Sequence, residues 1–283
     1  MPTGRKLRII HRSGYRYSTD VQVSFNEVRM TPADGGGQQL LEHVLSLKPD
    51  ALVYNYEDYW GAQVDFFDVH KPHRMLEVTA ESLVVTPGDH TEARGAPWEE
   101  VLSPEVQDRH CEYLAPTEYV NRPGEDQLEI LAELEALATP KQVIRAVVDL
   151  VHERMTYTPG ATTVFTSASE AWSGGIGVCQ DFTHVALSLL RALRIPARYV
   201  SGYLHSEEPA LGQTVVGESH AWIEVWDGAW EGFDPTNNRS VGSAHVKVAA
   251  GRDYRDVPPL KGLYSGGGSE ALGVTVEITQ LED

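Results

Sequence analysis

The sequence predicts an α+β fold, in which an N-terminal antiparallel β domain is followed by helices packed on a second antiparallel sheet. Three observations predict it: period-two alternation over about the first 90 residues, helical periodicity after that, and alternating segments again after the last helix. Because the later strands follow the helices and do not alternate with them, the order favours α+β over a doubly wound parallel sheet. The length of 283 residues suggests two domains, which we expect at residues 1–90 and 91–283.

The strands of the N-terminal domain are predicted from short alternating or apolar segments. Residues 63–69 (QVDFFDV) and 76–80 (LEVTA) alternate with a period of two, as half-buried strands do. Residues 7–11 and 21–30 are further strand candidates, and Pro32 marks the end of the second of them. No segment of this region has a helical period, so an antiparallel β domain is the simplest interpretation.

Three helices are predicted in the second half of the chain. The first covers residues 127–137, and the second begins with Thr139 as its N-cap and Pro140 at its first helical position. The third begins near Cys179 and ends before Pro196. Its apolar residues fall at offsets of 0, 3, 4, 7, 8 and 11, the spacing of a buried helical stripe. They are Phe182, Val185, Ala186, Leu189, Leu190 and Leu193. Strands are predicted again at residues 197–203, 219–225, 229–234 and 274–278.

Composition excludes several classes of protein. With 23 basic and 41 acidic residues the net charge is −18, which repels phosphate backbones and disfavours a nucleic-acid partner. No apolar run approaches the roughly 18 residues of a membrane span, and the N-terminus lacks the apolar region of a secretory signal. Two cysteines cannot form a disulfide framework, which fits a reducing compartment. We therefore expect a cytoplasmic protein with no membrane partner.

Three short motifs supply a thiol, an imidazole and a carboxylate in that order. They are GVCQDF at 177–182, SHAWIEV at 219–225 and GFDPTN at 232–237, which contain Cys179, His220 and Asp234. A cysteine at a helix start lies against the positive end of the helix dipole, which favours its thiolate. A histidine can hold the thiol proton and deliver it to a leaving amine, and a carboxylate fixes the histidine tautomer.

The hairpin between the last two motifs gives a geometric condition. His220 and Asp234 share a sheet face only if the loop has an odd number of residues, because successive side chains alternate between faces. We therefore predict the three-residue loop Trp226-Asp227-Gly228 with Gly228 in a left-handed conformation, or a compensating bulge near Gly232. In that register Asp234 pairs directly with His220.

These motifs resemble the transglutaminase-like (papain-like thiol) core of bacterial proteins, whose Cys, His and Asp blocks occur in this order. The likeness extends to residues 193–203 and 251–259, and residues 15–32 are similar to the bacterial transglutaminase-like N-terminal β region. It thus covers nearly the whole chain. One departure is the tight connection at Asp227-Gly228, where many members are expected to have a longer loop.

The resemblance implies a thiol enzyme that acts on amide or peptide carbonyls of a peptide or protein substrate. In it Cys179 is the nucleophile, His220 the general base and acid, and Asp234 the orienting carboxylate. The outcome stays open between protease, deamidase and transglutaminase, with hydrolysis ranked first. A catalytically silent peptide-binding module that retains the fold is the alternative, and the oligomeric state is open.

The residues also suggest oxyanion donors and possible metal ligands. The backbone N–H of Cys179 is a natural oxyanion donor at a helix start, and Gln180 and Trp172 are candidates for the second donor. A zinc site made of Cys179, His184 and His220 is conceivable, but five residues along a helix turn His184 away from Cys179. We therefore expect no metal and no organic cofactor.

Overall fold

The computed structural model describes residues 4–88, 95–205, 211–217 and 219–282. The α+β class predicted from the sequence is confirmed. The predicted boundary near residue 90 falls at residues 89–94, which lie outside the described residues, so the division at 90 stays a prediction. Among the described residues no helix combines the length and the apolar character needed to cross a membrane.

The N-terminal part consists of six antiparallel strands. They are β1 Lys6–Val21, β2 Val23–Val28, β3 Gln39–Lys48, β4 Val53–Glu57, β5 Gln63–Val69 and β6 His73–Val85. Strand β1 pairs with β6, and β6 pairs with β3, whereas β2, β5 and β4 belong to a second sheet. Burial alternates along β6, as its period-two sequence predicts.

A helical layer follows, with one small parallel pair of strands inside it. Its elements are α1 Trp98–Val101, α2 Pro104–Arg109, α3 Leu128–Glu135, α4 Pro140–Arg154, β7 Thr156–Tyr157, α5 Ala168–Gly174, β8 Ile176–Gly177 and α6 Cys179–Ala192. The predicted cap of α4 is confirmed, since the Thr139 hydroxyl accepts a hydrogen bond from the Gln142 N–H at 3.3 Å.

Helix α6 is buried on nearly all sides, not along a single stripe. It packs against α4 and α5 on one side and against strands of the next sheet on the other. Polar residues such as Thr183 and His184 are therefore as completely buried as Leu189. A helix in the centre of a layered core loses its solvent face, which a stripe in the sequence does not reveal.

The described residues from 197 onwards form nine strands. They are β9 Ala197–Leu204, β10 Thr214–Gly217, β11 His220–Trp226, β12 Trp230–Asp234, β13 Arg239–Ser240, β14 His245–Gly251, β15 Leu260–Ser265, β16 Ser269–Ala271 and β17 Thr275–Leu281. Five of them form the antiparallel core sheet in the order β13-β12-β11-β9-β14, and α6 packs on β11 and β9.

The C-terminal strands return to the N-terminal sheets. Strand β17 pairs with β1, β10 pairs with β17, and β15 pairs with β2. The prediction of domains at residues 1–90 and 91–283 did not include this return. One hydrophobic core accordingly combines Ile9 of β1 and Ile278 of β17 with Phe182 of α6 and Ile223 of β11.

Candidate active site

Cys179 is the first residue of α6, and a tight turn presents it there. Its preceding residue Val178 is extended, and the Val178 N–H donates to Asp181 Oδ2 at 2.7 Å, which caps the helix. The hydroxyl of Thr162 donates to the same Asp181 oxygen at 2.6 Å. A side chain at Gly177 would lie 2.6 Å from Asp181, so glycine is required at this turn. Asp181 thus holds the start of the helix that carries the thiol.

His220 is the first residue of β11, at the end of the core sheet where β12 finishes with Asp234. The His220 Nε2 lies 2.8 Å from Asp234 Oδ2. The Cys179 side chain lies close enough to the ring to help raise the pKa of His220. Because Nε2 faces the carboxylate, Nδ1 is the ring nitrogen left for the thiol. The structure therefore brings the three predicted residues together.

Asp234 is completely buried and accepts hydrogen bonds on both oxygens. Its Oδ1 accepts from the backbone N–H groups of Thr236 and Asn237, each at 3.1 Å. Its Oδ2 accepts from His220 and from the Asn237 side-chain amide, each at 2.8 Å, and from His245 Nε2 at 3.3 Å. Burial alone raises the pKa of Asp234, but the hydrogen bonds from His220 and His245 outweigh it and hold the pKa well below its usual range. The group is a carboxylate at any physiological pH.

The charge on Asp234 determines the state of His220. Burial alone lowers the pKa of His220, but the hydrogen bond to Asp234, the adjacent Cys179 side chain and the charge of Asp234 raise it to about 10. His220 is therefore an imidazolium at neutral pH, with a carboxylate on one ring nitrogen and the Cys179 side chain on the other.

The hairpin has a three-residue loop, as predicted, but not the predicted residues. The register pairs Trp226 with Trp230 and Ile223 with Phe233, so the loop is Asp227-Gly228-Ala229. Gly228 has a positive φ of 102°. The register continues to place Asp234 opposite Trp222, two residues along from His220. The expectation of a direct His220–Asp234 pair is therefore wrong, and the two side chains meet diagonally on one face.

His245, on strand β14, is a part of the site that sequence analysis missed. The N–H of Gly242 donates to His245 Nδ1 at 3.2 Å, so the neutral ring carries its proton on Nε2 and donates it to Asp234. Burial lowers the pKa of His245 and keeps the ring neutral. A single histidine with no flanking motif, eleven residues after Asp234, gives no signal in the sequence.

His220, Asp234 and His245 are grouped closely enough to be compared with a metal site. Their ligand atoms on His220, Asp234 and His245 lie within 4.8 Å of one another, close enough to share an ion. A metal ligand must offer a lone pair, but the Gly242 N–H occupies Nδ1 of His245 and leaves the proton on Nε2. His220 is protonated as well. The donor set fits a hydrogen-bond chain and does not fit a metal.

His184, a candidate metal ligand in the sequence, does not belong to this group of side chains. It is completely buried in α6, and its Nε2 accepts a hydrogen bond from the backbone N–H of Tyr254 at 3.3 Å. Burial lowers the pKa of His184 to about 3.

Two of the three proposed oxyanion donors have other partners. The Trp172 indole N–H donates to Asp126 Oδ2 at 2.9 Å, and the Gln180 amide donates to the Val164 carbonyl at 3.2 Å. Both bonds tie neighbouring segments to the helices, and an oxyanion role for either side chain stays a prediction. The backbone N–H of Cys179 remains a candidate, since the first N–H groups of a helix lack a carbonyl partner in the helix.

Family models match both the N-terminal part and the core of this chain. Residues 7–85 match the family model of the bacterial transglutaminase-like N-terminal region, and residues 129–235 match that of the transglutaminase-like superfamily. The protein ML0607 of Mycobacterium leprae (strain TN) is 40% identical over 278 residues, which cover 98% of this chain and 99% of that protein.

Two further proteins are similar over different extents. A protein-glutamine gamma-glutamyltransferase of Pseudomonas aeruginosa is 33% identical over 110 residues, 36% of this chain and 16% of that protein. The crystal structure of a candidate cysteine protease from Cytophaga hutchinsonii has a TM-score of 0.79 and 21% identity, and covers 99% of this chain and 92% of that chain. At that identity the likeness shows the fold alone.

The matches and the fold agree with the expectation from the motifs. An α+β chain with an N-terminal antiparallel sheet and helices on a second sheet has the architecture of that solved structure. The chain belongs to the transglutaminase-like superfamily and carries the bacterial transglutaminase-like N-terminal region ahead of its core.

Proposed function

We propose that the protein is a thiol enzyme that acts on amide or peptide carbonyls through Cys179, His220 and Asp234. The observation that carries the proposal is the position of the His220 ring, whose Nε2 lies 2.8 Å from Asp234 and whose pKa is raised by both Asp234 and the adjacent Cys179 side chain. An imidazolium beside a thiol favours the thiolate, which is the reactive form.

The proposed reaction has two steps. The Cys179 thiolate attacks the carbonyl carbon, and His220 gives its proton to the departing amine as the carbon–nitrogen bond breaks. The thioester left on Cys179 is then attacked by water or by an amine, which passes a proton back to His220. Asp234 remains a carboxylate throughout and keeps the His220 ring oriented.

We place hydrolysis ahead of amine transfer. Cys179 is half-buried and not sealed from solvent, and His220 lines a cavity, so water has a route to the thioester. The similarity to a gamma-glutamyltransferase supports transfer to an amine as the second outcome. Both reactions take a peptide or protein substrate, and both need a reduced thiol, so we propose a reducing compartment such as the cytoplasm.

Turnover of glutamine-containing peptides, with and without an added primary amine, tests the proposal. Wild type is expected to give a cleaved peptide with a new carboxylic acid, to release ammonia, or to form the amine adduct. Cys179→Ser is expected to give none of these products. Mass spectrometry separates cleavage, deamidation and transfer by their mass changes. If wild type binds peptides but neither converts them nor carries an acyl group on Cys179, the protein is a binding module and the proposal is wrong.

A further inference from the structure

A cavity of about 550 Å³ lies beside His220 and is lined by residues of both the core sheet and the N-terminal sheet. Polar and apolar groups line it to similar extents. The polar groups come from residues that include His220, Asn237, Thr236 and Ser219. The aliphatic side chains come from β9, β10 and β17 and include Leu204, Val215, Val276 and Ile278. The returning C-terminal strand therefore builds part of the site.

The position of His220 indicates which part of a bound substrate faces this cavity. His220 lines the cavity, whereas Cys179 is not among its lining residues. The thiol meets the Nδ1 side of the ring, and the acyl group is carried on that thiol. The amine leaves towards the imidazole that protonates it. The cavity thus lies on the amine side of the scissile bond.

The chemistry of the walls indicates which amines are accepted. None of the lining residues that the structure describes is Asp, Glu, Lys or Arg. A cationic side chain buried there would lose hydration without gaining a carboxylate partner, whereas an aliphatic side chain gains from burial. Glu218, between the lining residues Gly217 and Ser219, lies outside the described residues and is therefore tested separately.

We propose that this cavity selects amines with an aliphatic side chain, such as a peptide segment beginning with leucine. The inference rests on the proposed function and names its specificity. In the reverse direction, a free amine in the cavity attacks the acyl carbon of the Cys179 thioester. The bond between the amine nitrogen and the acyl carbon forms as the carbon–sulfur bond breaks. The amine proton passes to His220 and the sulfur leaves as thiolate, so atoms and charge balance.

Partition of a preformed acyl-enzyme tests the inference without a known substrate. Wild type is acylated with p-nitrophenyl acetate, and glycinamide, leucinamide or lysinamide is added to compete with water. We expect leucinamide to be acylated at least about tenfold more efficiently than glycinamide, as burial of a branched side chain permits. Lysinamide is expected to fall below leucinamide.

Two neighbouring valines of β10 give a matched pair of variants. Val215 pairs with Ile278 and therefore shares a sheet face with Ile278 and Val276, whereas Val216 pairs with Glu277 and lies on the opposite face. Val215→Asp is expected to reverse the order of leucinamide and lysinamide, whereas Val216→Asp should keep the wild-type order. Glu218→Gln should also keep the preference for leucinamide.

The outcomes separate this inference from the proposed function. If acetyl-Cys179 forms but the three amines react equally, the cavity does not select amines and the inference is wrong. A wild-type preference for lysinamide that disappears in Glu218→Gln would equally overturn it. If no acetyl group appears on Cys179, the proposed function fails, and the inference fails with it.

Discussion

At the scale of single residues, the site depends on one buried carboxylate. Asp234 has two histidines, one asparagine and two backbone N–H groups around it, so its charge is balanced without solvent. His220 lies on the side of the thiol and is charged. His245 lies on the other side and is neutral. Asp234 thus keeps His220 charged and is itself held in position by His245.

His245 is therefore expected to act as a positioning residue. Its loss in His245→Leu removes a hydrogen bond to a charged group, which is worth about 1.5–3 kcal/mol of unfolding free energy. We also expect slower alkylation of Cys179, since Asp234 then holds His220 less firmly. Urea denaturation and iodoacetamide labelling measure the two effects.

The conservative variant separates positioning from packing. In His245→Gln the side-chain amide can still donate to Asp234, and a large part of the labelling rate should return. If His245→Leu labels as fast as wild type, Asp234 does not need its second histidine.

At the scale of elements, strand β9 shows how closely the core sheet is packed beneath the site. A methyl group on Gly202 would lie 2.1 Å from the Val246 carbonyl and 2.5 Å from the Trp222 ring. Gly202 is also the residue that pairs with His220. Trp222, on the same strand as His220, cannot move without disturbing the sheet.

Gly202→Ala is accordingly expected to lower the unfolding free energy by about 1–3 kcal/mol, the usual cost of overpacking a core. Gly217→Ala is the matched control, since this strand glycine has open space around it and should change stability by less than about 0.5 kcal/mol. Equal stabilities of the two variants in urea denaturation would contradict the packing around Trp222.

The elements also show what sequence patterns can predict. The extent of α6 follows from its apolar spacing and from Pro196, which limits its C-terminal end, and both signals lie within one segment. The predicted hairpin register differs from the observed one by two residues. Side-chain alternation predicts only whether the number of loop residues is odd or even, not the register itself. The partners of Trp172 and the role of His245 depend on segments far apart in sequence, and no local pattern specifies them.

At the scale of the whole molecule, the two halves share one core and one cavity. Strands β10 and β17 extend the N-terminal sheet and place aliphatic walls beside His220. The N-terminal strands are thereby connected to the site through β17, which lies between β10 and β1. Folding and active-site geometry are therefore coupled, and the charge of His220 should appear in global stability.

The pH dependence of unfolding checks that coupling. The folded pKa of His220 is raised from 6.5 to about 10, so its stabilising contribution is fully present below about pH 6.5 and is lost as pH rises through about 10. The difference in unfolding free energy between wild type and His220→Gln should therefore shrink between about pH 7 and pH 10.5. A difference that stays constant over this range would show that His220 is not charged in the folded protein.

The most direct test of the central claim is the rate at which iodoacetamide alkylates Cys179 at about pH 6.5. Cys111 is exposed, so Cys111→Ser provides a background with Cys179 as the single thiol. An ordinary thiol is only about 1% thiolate at that pH. We predict alkylation at least about tenfold faster than that of a free cysteine peptide, with the advantage lost in His220→Ala. A rate equal to that of the peptide, unchanged by His220→Ala, would contradict an activated nucleophile at Cys179.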